Sequence, residues 1–284
     1  MTSPTRKPPR VPLSEAALAG QVLSGSRVFT SLRVLASTGS TNADLLAAAR
    51  SGAAAGAILI AEEQTAGRGR LDRSWQSQPG AALTFSVLLR PSEVPPPRRS
   101  WLPLLTGVAM ASALQDAAGL QVNLKWPNDV QAIADPPGGV GKLAGILAEQ
   151  AGDAIVIGVG LNVSATKDEL PTPLATSLWL QGAPGLDRQA ILVAALRELE
   201  HWYLRWCDTS PPGDADASGL RGEYLRCCAT VGQEVRVELP GGSVLVGRAV
   251  DVDSAGRLLV SSDGAAHAVS AGDVVHVRPP RTGG

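Results

Sequence analysis

The period of the hydrophobic residues changes near position 230, and that change restricts the chain to two differently built parts. Upstream, apolar residues recur at helical spacing. Residues 100–119 are apolar almost throughout, and in 187–206 Leu192, Leu196, Leu199, Tyr203 and Trp206 make one stripe. Such spacing predicts helices packed into a core. Apolar and β-branched runs at 57–63, 81–90, 121–126, 143–149 and 154–163, bounded by Gly or Pro, predict strands. Downstream the period is two. Val235, Val237 and Leu239 alternate with polar residues, and short strands are predicted at 244–252, 257–262, 265–270 and 274–278. Pro240-Gly241-Gly242, Asp253 to Gly256 and Asp263-Gly264 are turn signals between them. An α/β body followed by a small all-β barrel of SH3 type is expected. The division is 1–27, a flexible arm with one short helix from Ser14 to Leu23; 28–228, the body; and 229–280, the barrel, with the linker near 227–233.

Composition narrows the function class. The net charge of −1 over 284 residues argues against a protein that coats nucleic acid by bulk electrostatics. Three cysteines, two of them adjacent (Cys227 and Cys228), make no disulfide framework and fit a reducing cytoplasm. His201, His267 and His276 are scattered and lack the partners of a zinc site. The basic, proline-rich N-terminus lacks the apolar segment of a signal peptide, and no apolar run is long enough to span a bilayer.

Five blocks carry chemistry. Ser40-Thr41-Asn42 opens a helix predicted over 42–51, where hydroxyl and amide groups either fix a polar ligand or simply cap the helix. Gln64 leads into Gly67-Arg68-Gly69-Arg70, followed by Arg73 and Trp75. Three arginines in six positions read as an anion site or as a solvated turn. Lys125-Trp126-Pro127-Asn128-Asp129 sits at the end of an apolar strand, as a ligand site or a plain turn. Gly141-Lys142-Leu143-Ala144-Gly145-Ile146-Leu147 places a lysine at the start of a strand of small and apolar residues. In Gly158-Val159-Gly160-Leu161-Asn162 two glycines in a buried strand invite close approach by a ligand, or make a bend. No Gly-x-x-x-x-Gly-Lys-Ser/Thr stretch is present, so a P-loop is not supported.

Each block is ambiguous alone; in this order they closely resemble the biotin–protein ligase family, over about residues 35–278. The resemblance implies an α+β fold: a mixed sheet packed by helices, like class II aminoacyl-tRNA synthetases and biotin ligases, and then an SH3-like barrel. It implies that biotin and ATP, with Mg2+ carried by the phosphates, give biotinyl-5′-adenylate. Biotin then passes to one lysine of the biotin carboxyl carrier domain of acyl-CoA carboxylases. Ser40, Thr41, Asn42 and Gln64 should line the ureido pocket. Gly67, Arg68, Gly69 and Arg70 should form a lid that is mobile when empty. Lys142 should meet the carboxylate and phosphate oxygens, with Arg68 and Arg70 as further cations. Gly145, Leu147, Gly158 and Gly160 should make a flat floor. Arg73, Trp75, Asn128, Asp129 and Asn162 should serve the nucleotide, Trp75 by stacking on adenine and Asp129 also by activating the carrier lysine.

Two departures stand out: Leu71-Asp72 where basic and glycine residues are expected, and a long loop through Ala134-Asp135-Pro136-Pro137-Gly138-Gly139. The N-terminal helix-turn-helix of repressor relatives is missing, so a cytoplasmic ligase, monomer or weak homodimer, acting on neither DNA nor membrane is expected. A lipoate or octanoate ligase of the same fold is the alternative, and a nucleic-acid binder combining an Arg-Gly loop with the barrel is a more distant one.

Overall fold

The computed structural model describes residues 9–71, 73–133, 141–239, 242–270 and 273–276. The expected arm at 1–8, Asp72, the inserted loop through 134–139 and Pro240-Gly241 lie outside the described residues.

The body is built on one seven-stranded sheet. Its strands are β1 (Ser31–Leu35), β2 (Ala57–Ala61), β3 (Ala82–Leu89), β4 (Val122–Lys125), β5 (Asp129–Ala132), β6 (Lys142–Ala151) and β7 (Ala154–Asn162). They lie in the order β1-β2-β3-β7-β6-β5-β4; only β1 and β2 pair in parallel. The parallel step requires a crossover, and helix α2 (Thr41–Arg50) supplies it. The sheet is therefore mixed, as expected. Of the preceding elements, α1 (Glu15–Val22) is capped by Ser14, whose side chain accepts from the Ala17 N–H.

Two layers cover the sheet. On one face pack α3 (Trp101–Ala118) and α4 (Arg188–Cys207). α3 is buried nearly all round because it lies between the sheet, α4 and the short helix α5 (Leu220–Cys227). It ends at Gly119, φ +64°, where the Leu120 N–H reaches back to the Leu114 carbonyl. α4 starts at Asp187, whose carboxylate accepts from the N–H groups of Gln189 and Ala190. On the other face packs α2, through Leu45, Leu46 and Ala49 onto Leu88, Ala154 and Val156. Among the described residues no helix covers the strand ends beyond α2, and the five blocks converge there.

The C-terminal part is an antiparallel sheet of β8 (Glu234–Glu238), β9 (Val244–Val252), β10 (Leu258–Ser262), β11 (Ala265–Val269) and β12 (Asp273–His276), in the order β11-β10-β9-β8-β12. This is the expected SH3-like arrangement. The β9–β10 turn docks on the body. Trp101 Nε1 donates to Ser254 O (2.9 Å), Ser100 Oγ to Ala255 O (2.5 Å) and Trp126 Nε1 to Gly256 O (3.0 Å). Trp126, from the third block, is thus a buried anchor for the barrel.

The connection is equally tied down. Ala229 N–H donates to Leu124 O, and Thr230 Oγ1 accepts from Trp126 N–H at 3.0 Å. The Thr230 hydroxyl also pairs with His276 Nε2, 3.1 Å away. Burial, and secondarily the Lys125 ammonium, lower the His276 pKa to about 4. A depressed histidine stabilises the fold above its unfolded value near 6.5, and that contribution is lost as pH falls from 6.5 towards 4. His276→Gln can still accept from Thr230 but does not titrate there. Its thermal midpoint should therefore fall less steeply than that of the wild type between about pH 7 and pH 4. Parallel slopes would assign the loss to other groups.

Candidate active site

The site rests on one face of β3, β7 and β6. The register pairs Gly145 with Gly160, Leu147 with Gly158, Gly158 with Ser86 and Gly160 with Thr84. Alternation along each strand sends these residues to a single face. The two glycines of β7 leave room that neighbouring side chains use. A β-carbon at Gly158 would lie 2.1 Å from Asn42 Oδ1, and one at Gly160 would lie 2.3 Å from Trp75 Cε2.

Ser40 caps α2, its hydroxyl accepting from Ala43 N–H, and so brings Thr41 and Asn42 onto the floor. Both are buried. Thr41 donates through N–H (2.8 Å) and Oγ1 (3.0 Å) to Gln64 Oε1, and its hydroxyl also meets Ser86 Oγ at 2.7 Å. Ser86 donates to Asn42 Oδ1 at 2.6 Å, and Asn42 Nδ2 donates to Glu149 Oε2 at 2.9 Å. The five blocks do not include Ser86 and Glu149. In the sequence they stand only as a serine inside the apolar run of β3 and an acid two residues beyond Leu147.

The glycine–arginine block is one arm of a short hairpin. Gly69 N–H bonds to Arg73 O, Trp75 N–H to Gly67 O and Arg73 N–H to Arg70 O, with Leu71 at φ +53°. The hairpin lies across the floor. Arg68 Nη2 meets Glu149 at 3.2–3.3 Å, and Arg70 Nη1 donates to Asn128 Oδ1 at 3.3 Å. Trp75 lies on Gly160 and Gly145, with its Nε1 buried and without a hydrogen-bond partner among the described residues. The indole therefore occupies the Gly145–Gly160 end of the floor, and Leu147 and Gly158 make up the rest. A cleft of about 570 Å3 is lined by Arg68–Leu71, Arg73, Leu147 and Glu149, a size that suits a small-molecule ligand.

Lys142 reaches the same face through a bulge. Val130 pairs with Ala144 but Gln131 with Lys142, so Leu143 is the extra residue. A bulge turns the next side chain to the other face. Here it sets Lys142 Nζ 3.2 Å from where a Gly145 β-carbon would stand. Asp129, the register partner of Gly145, takes the ammonium at 2.6 Å. Asn128 donates to Ile146 O and holds the β4–β5 turn against β6. Asn162 is buried, and its amide donates to Thr176 O at 3.0 Å. Its side chain therefore braces the 175–178 loop. Arg73 is exposed on the returning arm of the hairpin.

The arrangement can hold a polar, uncharged group at the α2 end, an extended apolar portion over Leu147 and Gly158, and an anion beside Lys142. A second depression of about 420 Å3, lined by Asp116, Glu198 and Arg226, lies between α3, α4, β4 and α5, and holds none of the five blocks.

Comparison with known proteins matches residues 34–162 to the biotin/lipoate A/B protein ligase family and residues 230–277 to the biotin protein ligase C-terminal domain. The biotin–[acetyl-CoA-carboxylase] ligase of Mycobacterium tuberculosis is 44% identical over 273 residues, covering 95% of this chain and 97% of that protein. The bifunctional ligase/repressor BirA of Bacillus subtilis is 32% identical over 238 residues, covering 81% of this chain and 68% of that protein. The solved biotin protein ligase from Aquifex aeolicus in complex with biotin and ATP superposes with a TM-score of 0.72 at 27% identity, covering 88% of this chain and 100% of that one.

Proposed function

The chain belongs to the biotin/lipoate A/B protein ligase family, and from that premise we infer that it is a biotin–protein ligase. It condenses biotin with ATP to biotinyl-5′-adenylate and pyrophosphate, then transfers the biotinyl group to one lysine of a biotin carboxyl carrier domain. The observation that carries this reading is the bulge-directed Lys142 ammonium over the glycine floor, at the opposite end from the Thr41–Asn42 amide cluster.

A ureido ring offers one carbonyl and two N–H groups, which suit Ser40, Thr41, Asn42 and Gln64. The valeryl chain then runs along Leu147 and Gly158 and brings its carboxylate to Lys142. There the carboxylate oxygen attacks the α-phosphorus, and the bond to pyrophosphate breaks. Both reactants are anions, so a fixed cation where charge develops lowers the barrier. Asp129 aims that cation, and Trp75 offers adenine the face turned away from Gly160. Magnesium enters with the ATP phosphates. Among the described residues no cluster of three or more His, Cys, Asp or Glu side chains is placed to hold a resident ion. In the second step the carrier lysine attacks the mixed-anhydride carbonyl and AMP leaves.

The test is incubation with ATP, labelled biotin and a carrier domain. Label on a single carrier lysine, with release of AMP and pyrophosphate, is expected. Labelling by lipoate but not by biotin would reverse the assignment. A further outcome concerns the lid. Arg70 ties it to the β4–β5 turn through Asn128. Arg70→Gly should release reactive adenylate, so that bystander lysines are labelled as well as the carrier. Label confined to the carrier would show that the lid is not the gate.

A further inference from the structure

We propose that Glu149 is a positioning residue that couples the ureido pocket to the lid; the proposal rests on the biotin-ligase reading above. The observation is a closed circuit of polar contacts. It starts at Gln64 at the foot of the lid and passes through Thr41 of α2, Ser86 of β3, Asn42 of α2 and Glu149 of β6. It ends at Arg68, four residues beyond its start. Glu149 is the step that returns the circuit to the lid.

Its chemistry fixes both neighbours. A carboxylate only accepts, so the Asn42 Nδ2 group must face it, and Oδ1 is left facing Ser86 and Gly158. Asn42 therefore presents an acceptor, not a donor, to the floor, as a ureido N–H requires. The second contact draws in Arg68. The family resemblance places Arg68 among the cations offered to carboxylate and phosphate. The structure instead engages its guanidinium with Glu149.

Glu149 lies four residues along β6 from Gly145, roughly 13 Å at strand rise. A carboxylate so placed opposes the substrate anions less than one beside Lys142 would. The pair is partly exposed, with side chains 47% and 25% accessible. Its worth is therefore in aim and closure more than in stability.

Glu149→Gln keeps the shape and removes the charge. The expected result is a biotin KM raised about tenfold and faster escape of biotinyl-adenylate, with kcat for adenylate formation within about threefold of wild type, because Lys142 and Asp129 are untouched. Action through Arg68 predicts non-additivity: adding Glu149→Gln to Arg68→Gln should increase adenylate escape no further. A Glu149→Gln enzyme with wild-type biotin KM and wild-type adenylate retention would overturn the proposal, and so would full additivity in the double variant. If Glu149→Gln does not fold, Glu149→Asp keeps the charge on a shorter arm. It should give an intermediate KM, and a wild-type KM there would equally overturn it. Wild-type enzyme that labels the carrier with biotin in the same assay keeps the functional reading intact whatever Glu149 does. Failure of that control would strike the functional reading itself.

Discussion

Lys142→Ala should lower the rate of biotin-dependent ATP–pyrophosphate exchange by at least about 10²–10³-fold, the usual cost of removing one preorganised group that stabilises developing charge. The bulge at Leu143 brings the ammonium over the floor, beside Gly145. The fold should survive. The Lys142 side chain is about a third exposed, and its pair with Asp129 is only partly buried, so the loss of stability should stay near the ~0–1 kcal/mol of a surface ion pair. Lys142→Met separates stem from charge. It keeps the methylenes beside Gly145 and should be as inactive as alanine. The half-reactions give a sharper test. Supplied with preformed biotinyl-adenylate, Lys142→Ala should still transfer biotin to the carrier within about tenfold of wild type, since the α-phosphate no longer gains a nucleophile. Exchange retained within a few-fold would remove Lys142 from the catalytic role.

How much of this was legible in the sequence depended on where each signal was stored. α3 and α4 could be read because many apolar side chains repeat at helical spacing, and the body buries that stripe. β1 was missed because an edge strand can bury little, and here only Leu32 is buried. α5 was missed because it opens at Gly219, φ +76°, without a side-chain cap, and contains Gly222. β5 was hidden because Asp129, read as part of a turn, is already its first paired residue.

The site shows the same division. The five blocks could be found because each concentrates glycines, cations or amides at a turn or a strand end. Ser86 and Glu149 could not, because one polar residue in a strand acquires meaning only from its cross-strand and cross-helix partners. Ser86 needs Gly158 opposite it, and Glu149 needs Asn42 from a helix more than a hundred residues earlier. The aim of Lys142 was hidden for a related reason. It depends on a one-residue shift in the β5–β6 pairing that neither strand reveals alone.

Gly158→Ala is expected to abolish useful biotin affinity by adding a single methyl group. That β-carbon would lie 2.1 Å from Asn42 Oδ1 and 2.8 Å from its Cγ, so one side must move. Gly158 is held in the middle of the sheet between β3 and β6. Asn42 therefore yields, but its amide is pinned by Ser86 at 2.6 Å, Glu149 at 2.9 Å and Leu147 O at 3.3 Å. Rotating it away breaks buried hydrogen bonds at a cost of ~1–3 kcal/mol, of which alanine in a strand returns ~0.5–1 kcal/mol over glycine. The thermal midpoint should drop by a few degrees. The loss in binding should be larger, because the ureido N–H loses its acceptor while the methyl intrudes on the floor. Biotin affinity should fall about a hundredfold, with the KM for ATP changed by less than about threefold. The cause can be isolated by adding Asn42→Ala to Gly158→Ala. The clash disappears and the thermal midpoint should recover towards that of Asn42→Ala alone, while biotin affinity stays low. Stability and affinity then separate, which a general loosening of the sheet would not produce. Gly158→Ala that binds biotin within about threefold of wild type would show that Asn42 does not shape the ureido pocket.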